Sequence, residues 1–370
     1  MWPNETKEAP SSAAYLILED GTVFAGRSFG AKGDAVGELV FTTGMTGYLE
    51  TLTDSSYYGQ IVLQTFPLIG NYGVIPSDFE SGAVGAKAYI VKHPCQEPSN
   101  FRSEGNLDTF LKARGIVGLC GIDTRALTKM IRQKGVMNGK ITAHPPMEAD
   151  CGEAEGYEIH KAVAAVSARA VTKLTDGTRR VALLDFGAKH GIAAALAARG
   201  CEVWSFPHDA TAADILQMKP GGIMLSNGPG DPADAANAMI LETLRELMMS
   251  GVPIFGICLG HQLLALANGY QTEKLKFGHR GANQPVRETA TGKVYMTSQN
   301  HGYAVITRGA EAAEQCSFVN VNDGTCEGID YGRSFSVQFH PEAHGGPLDT
   351  AFLFDRFTER MDAYAAQQGY

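Results

Sequence analysis

The sequence predicts an α/β protein in two parts, an N-terminal mixed α/β unit and a C-terminal unit built on a mainly parallel sheet covered by helices. Three observations carry this. Strands outnumber helices up to about residue 143. From Arg180 onward, continuous apolar strands alternate with helical stretches, the pattern of a sheet buried on both faces. The apolar run Val252-Pro253-Ile254-Phe255-Gly256-Ile257 then leads straight into Cys258-Leu259-Gly260 and a new helical pattern, a strand–turn–helix with cysteine at its apex.

Taken in order, Ala14–Leu18 and Thr22–Ala25 flank Glu19-Asp20-Gly21 as a hairpin. Glu38–Thr43, Gln60–Phe66, Ala86–Val91 and Ile116–Leu119 are the next strands, and Asp123 caps a helix that runs to about Gln133 and stops near Gly135. Residues 1–12 look like a loose tail. The first domain is placed at 13–145 and a connection rich in Glu, Ala and Gly at 146–178. The second domain, 179–368, starts with the strand Val181–Phe186. Helix Ala188–Arg199 follows, with Gly200 just past its end, then strand Glu202–Phe206, helix Thr211–Met218, strand Gly222–Ser226, helix Asp234–Met249 and the strand into Cys258. Ligands of such sheets sit at the carboxyl ends of strands. Two special loops lie there, Ser226–Pro232 and the Cys258 turn.

Composition narrows the function classes. The chain has 370 residues with 44% hydrophobic and 19% charged content, enough for two ordinary cores. A formal net charge of -9 disfavours nonspecific binding to nucleic acid or anionic membrane. The seven cysteines form no C-x-x-C pair, so free thiols in a reducing cytoplasm are expected rather than a disulfide scaffold. No signal peptide and no membrane-spanning apolar run is seen.

Glycines two before and two after Cys258 let neighbouring backbone approach the turn, and the amide dipoles of the following helix favour negative charge at the sulfur. A cysteine nucleophile needs a base and a set of oxyanion donors. His340 ends the alternating run Phe335–Phe339 at a strand's carboxyl end, Pro341 stops the strand, and Glu342 stands two residues on to orient the imidazole. The amides of Gly230 and Leu259 are assigned to the oxyanion hole. His340 and His344 are four apart, but Pro341 denies them a helix, so no metal site is expected. No phosphate loop and no dinucleotide fingerprint is present.

Asn227-Gly228-Pro229-Gly230-Asp231-Pro232, Gly256-Ile257-Cys258-Leu259-Gly260-His261-Gln262 and His340-Pro341-Glu342 together resemble the class I glutamine amidotransferases over about residues 180 to 360. Leu18–Thr22, Met45–Tyr48, Leu52-Thr53-Asp54, Ile122–Arg125, Asn138-Gly139, Asp185–Lys189, Lys276–Gly281 and Gln299–Tyr303 resemble the small, glutaminase subunit of carbamoyl-phosphate synthetase, extending the likeness to nearly the whole chain. The resemblance implies that Cys258 attacks the glutamine side-chain amide, that His340 serves as acid and base, and that Glu342 orients it. It implies L-glutamine contacts at Gly228, Gly230, Leu259, Gln262, Asn300, Gly302 and Tyr303. Gly44 stands where the family often has serine and Tyr303 where it often has phenylalanine, so both would act through backbone. No cofactor is expected on this chain. A large subunit holding ATP, magnesium and bicarbonate would take the ammonia and make carbamoyl phosphate for arginine and pyrimidine synthesis, with the N-terminal domain as its docking surface. An α/β-hydrolase would place its acid between nucleophile and histidine in chain order, which this chain does not. A scaffold with a dead site would lack Cys258 or His340.

Overall fold

The computed structural model describes residues 12–146, 152–307, 316–343 and 345–368. The expected tail lies, save Ser12, outside these residues, as do Cys151 and His344. The chain divides into two compact units, one of residues 1–42, 59–76 and 86–158, the other of 43–58, 77–85 and 159–370. The division therefore differs from a single cut at the expected connection, because 43–58 and 77–85 group with the second unit.

In the first unit β1 (Ala13–Leu18), β2 (Val23–Gly30), β3 (Ala35–Thr42), β4 (Gln60–Gln64), β6 (Ala88–Val91), β8 (Val117–Cys120) and β9 (Met137–Thr142) close into a barrel in the order β1-β2-β8-β6-β4-β3-β9, while β5 (Leu68–Ile69) and β7 (His93–Pro94) pair separately. Leu16, Leu18, Leu39, Ile61, Leu63, Ile90, Leu119 and Ile141 are among its buried residues. Closure leaves no edge strand exposed. The expected helix is present as Thr124–Lys134. Asp123 accepts from the Ala126 amide at 2.9 Å, and Gly135 ends the helix in the left-handed region at φ 104°.

The second unit opens with helix α1 (Tyr48–Thr53). Its sheet runs β10-β12-β11-β13-β14-β19-β18-β16-β15-β17. The five strands β12 (Cys201–Pro207), β11 (Arg179–Asp185), β13 (Gly222–Leu225), β14 (Ile254–Ile257) and β19 (Phe335–Val337) are parallel. The rest is antiparallel: β10 (Thr172–Lys173) on one flank, and on the other β18 (Cys326–Asp330), β16 (Val294–Ile306), β15 (Gln271–Glu288) and β17 (Cys316–Asn320). The parallel strands are almost continuously apolar and lie between two cores. One contains Ile192, Leu196, Phe255, Val337, Phe354 and Phe357. The other contains Ile215, Ile240, Leu244, Leu247, Leu259 and Leu263. Burying about 1.5–3 kcal/mol of apolar side chain per residue on both faces is what holds these strands in the interior. Among the described residues no helix is long and apolar enough to cross a membrane.

Candidate active site

Cys258 sits between β14 and the helix Leu259–Ala267 with φ 53° and ψ -105°, a left-handed conformation that a non-glycine residue adopts only under constraint. The constraint is visible. Its amide donates to the Val337 carbonyl at 2.9 Å, and the Gly260 amide donates to Ser226 at 3.0 Å. A Cβ on Gly256 would lie 2.7 Å from the Gly260 carbonyl oxygen, and one on Gly260 would lie 2.5 Å from that of Leu225. The flanking glycines are thus needed for close backbone packing. The thiol is 2% exposed and donates to the Asn300 carbonyl at 3.6 Å.

His340 follows β19, its amide donating to the Ser298 carbonyl at 2.9 Å. Its Nδ1 meets Glu342 Oε1 at 2.7 Å, so Nδ1 carries the proton, while Nε2 has no hydrogen-bond partner among the described residues. Burial opposes charge on the ring, as does Lys189, but Glu342 and the Cys258 thiol outweigh both and raise the imidazole to about 10. Burial also opposes charge on Glu342, which His340 nevertheless holds below the usual carboxylate range. The structure therefore brings Cys258, His340 and Glu342 into one buried cluster.

The other expected residues surround it. Gln262 Nε2 donates to the Tyr303 carbonyl at 2.8 Å and to Gln338 Oε1 at 2.9 Å. Gly228 packs against the Phe186 carbonyl and Leu259 Cδ2, closely enough to exclude a side chain. Gly230 is left-handed at φ 88° beside Ala162, and Gly302 lies under Arg280. Gly44 is half-exposed in the loop between β3 and α1.

A second set of residues in the cluster was not singled out from sequence as site residues. Asp54, just past α1, is buried, with Lys189 Nζ 3.4 Å from its Oδ2. Asn300 Nδ2 donates to the same oxygen at 3.0 Å and the Ser56 amide to Oδ1 at 2.9 Å. Asn227 ties the set to the glycine-rich loop, accepting from the Lys189 amide at 3.0 Å and donating to Ser56 Oγ at 3.0 Å. Burial opposes the charge on both ions. Lys189 and then His340 still hold Asp54 below its usual range, and Asp54, Glu80 and Glu342 raise Lys189. The available signal was the pair of motifs Leu52-Thr53-Asp54 and Asp185–Lys189, which sequence distance kept apart.

Residues 16–141 match the family described as carbamoyl-phosphate synthase small chain, CPSase domain, and residues 182–360 match glutamine amidotransferase class-I. The chain is 49% identical over 356 residues to the carbamoyl phosphate synthase small chain of Bacillus thuringiensis, covering 94% of this chain and 96% of that one. This chain belongs to the carbamoyl phosphate synthase small chain family. The pyrimidine-specific small chain of Bacillus subtilis is also 49% identical, covering 94% and 95%, and the Lactococcus lactis small chain is 45% identical, covering 95% and 99%. The expected two-part organisation of a small-chain domain and an amidotransferase domain is that of the family. Within it, the Cys258 turn and the His340-Pro341-Glu342 segment both fall inside the amidotransferase match.

Proposed function

We infer that the chain hydrolyses L-glutamine to glutamate and passes the ammonia to a carbamoyl-phosphate synthase large chain. The observation that carries this reading is the Cys258 sulfur, held at a left-handed turn in the same buried cluster as an imidazole that Glu342 orients through Nδ1. As the Cys258 sulfur attacks the side-chain amide carbon its proton passes to His340 Nε2, and the amides of Leu259 and Gly230 receive the charge on oxygen. The C–N bond breaks as His340 Nε2 delivers a proton to the departing nitrogen. His340 then takes a proton from water, which attacks the thioester carbon and releases glutamate and the thiol. Gly228, Gly230, Gln262, Asn300, Gly302 and Tyr303 hold the substrate. Gly44, where the family often has serine, offers the substrate only its backbone.

Ammonia is mostly protonated and unreactive near pH 7, so it is used where it is made available, on the large chain with ATP, magnesium and bicarbonate. Carbamoyl phosphate made there serves arginine and pyrimidine synthesis in the cytoplasm, and the first unit supplies the docking surface. The deciding experiment is glutamate release by the purified chain beside Cys258→Ser, with and without a large chain. Release that is lost in the variant and raised by the partner supports the reading. Absence of release from wild type in both conditions refutes it.

A further inference from the structure

Behind the strand that carries Asn300 and Tyr303 lies a second polar cluster that the glutaminase reading does not use. His279 on β15 and His301 on β16 are direct cross-strand partners, their rings edge-to-face at 4.9 Å between centroids. Glu327, on the adjacent β18, is fully buried beneath them. One nitrogen of each histidine and one oxygen of Glu327 lie within 4.8 Å of one another.

We propose that His279, His301 and Glu327 form a binding site for a single divalent transition metal ion of the zinc class. Both imidazoles are already oriented as metal-bound histidines are, with the far nitrogen of each held by an outer partner. His279 Nε2 pairs with Asp323 Oδ2 at 2.8 Å. His301 Nδ1 lies 2.8 Å from the Tyr303 carbonyl, which can only accept, so Nδ1 bears the hydrogen. A neutral His301 then has its lone pair on Nε2. There it faces another acceptor, Gln299 Oε1, at 3.1 Å. Gln299 cannot turn over without losing its donation to Glu327 Oε2 at 3.0 Å. His279 Nδ1 is buried without a hydrogen-bond partner, 3.5 Å from Glu327 Oε1. Two imidazole nitrogens thus converge on a buried carboxylate whose other contacts come from Gln299, Asn320 and Thr325. A cation seated among them takes one atom from each as a ligand.

Two imidazoles and one carboxylate favour zinc, cobalt or nickel over magnesium or calcium, and three protein ligands leave a fourth position for water. Bonds of about 2.0–2.2 Å require the ligand atoms to draw together by about 1 Å. The β15 strand is irregular between Lys274 and His279, which gives His279 that freedom. Asp323, 43% exposed, opens the cluster to solvent. The consequence for catalysis, unlike the binding itself, rests on the glutaminase reading. The Tyr303 carbonyl accepts from His301 on this side and from Gln262 at 2.8 Å on the other, so a bound ion would stiffen the substrate-holding strand.

The test uses the full chain, stripped with chelator, desalted and titrated with Co2+, followed by metal analysis and visible absorption. The expected result is one equivalent bound, with d–d bands of a four- or five-coordinate nitrogen–oxygen site and no thiolate charge-transfer band. Cys258→Ala should retain it. Glu327→Gln and His279→Gln should each weaken it more than about 100-fold, beyond the usual effect of losing an outer partner. The spectrum of the wild-type chain is decisive even if a variant fails to fold. Failure to bind Co2+ at micromolar concentration would overturn the proposal. So would a thiolate band lost in Cys258→Ala, or binding indifferent to both ligand variants. In those cases His279 is simply the protonated partner of Asp323 and Glu327.

Discussion

Replacing Lys189 with methionine removes the only cation in contact with Asp54 among the contacts described above, and leaves that carboxylate buried. At 3.4 Å and an effective dielectric constant of about 20, the attraction in the pair is roughly 5 kcal/mol, partly offset by the cost of burying both charges. Losing one partner of a buried pair typically costs about 3–5 kcal/mol, because the survivor stays desolvated. Asp54 would keep only the Asn300 and Ser56 donors. Lys189→Met should therefore destabilise the second unit by about 3–5 kcal/mol, and Asp54→Asn by a similar amount through stranding Lys189. The double variant removes both members of the pair and should lose less than the sum, with a coupling of about 2–3 kcal/mol. Trp204 on β12 reports this unit, so urea unfolding followed by its fluorescence in a Trp2→Phe background supplies the assay. Losses that add to within about 0.5 kcal/mol would refute the argument that the two charges act as a pair.

Three further outcomes follow from the same geometry. Gly260→Ala should abolish soluble active protein, since its Cβ would meet the Leu225 carbonyl oxygen at 2.5 Å; full activity in that variant would show the turn is less tightly packed than described. Glu342→Gln should lower kcat for glutamine hydrolysis by about 10²–10⁴-fold and move the alkaline limb of its pH profile downward from about 10, because the carboxylate that keeps His340 protonated is gone; a limb that stays in place would count against the pairing. Burial pushes His261 down to about 3, so the unfolded chain binds a proton below about pH 6.5 that the folded chain refuses, and stability falls as pH drops through that window. Urea midpoints of His261→Gln should show that slope reduced by up to about 1.4 kcal/mol per pH unit.

What could be read from the sequence follows from how locally each feature is encoded. The parallel strands are short apolar runs punctuated by helices, and the turn at Cys258 is written in consecutive residues. His340 is placed by a run of alternation that a proline ends. The antiparallel extension was harder. β15 mixes exposed and half-buried positions and is irregular after Lys274 and again after Gly281, so its alternation loses phase. The Asp54–Lys189 pair was hidden because neither residue lies next to Cys258 in sequence, and α1 is a single short helix without a side-chain cap. The metal cluster draws one ligand from each of three strands, a spacing that no sequence pattern announces.

The membership of residues 43–58 in the second unit sets an order of events during synthesis. Asp54 leaves the ribosome early, yet Lys189, Asn300 and His340 come far behind it. At about 5–20 residues per second, roughly 15–60 s separate the emergence of Ser56 from that of His340. Through that interval the barrel strands before and after this segment are free to assemble, while the segment itself stays hydrated. Catalytic competence is then the last property the nascent chain acquires, and a truncated product carrying the whole first unit would release no ammonia.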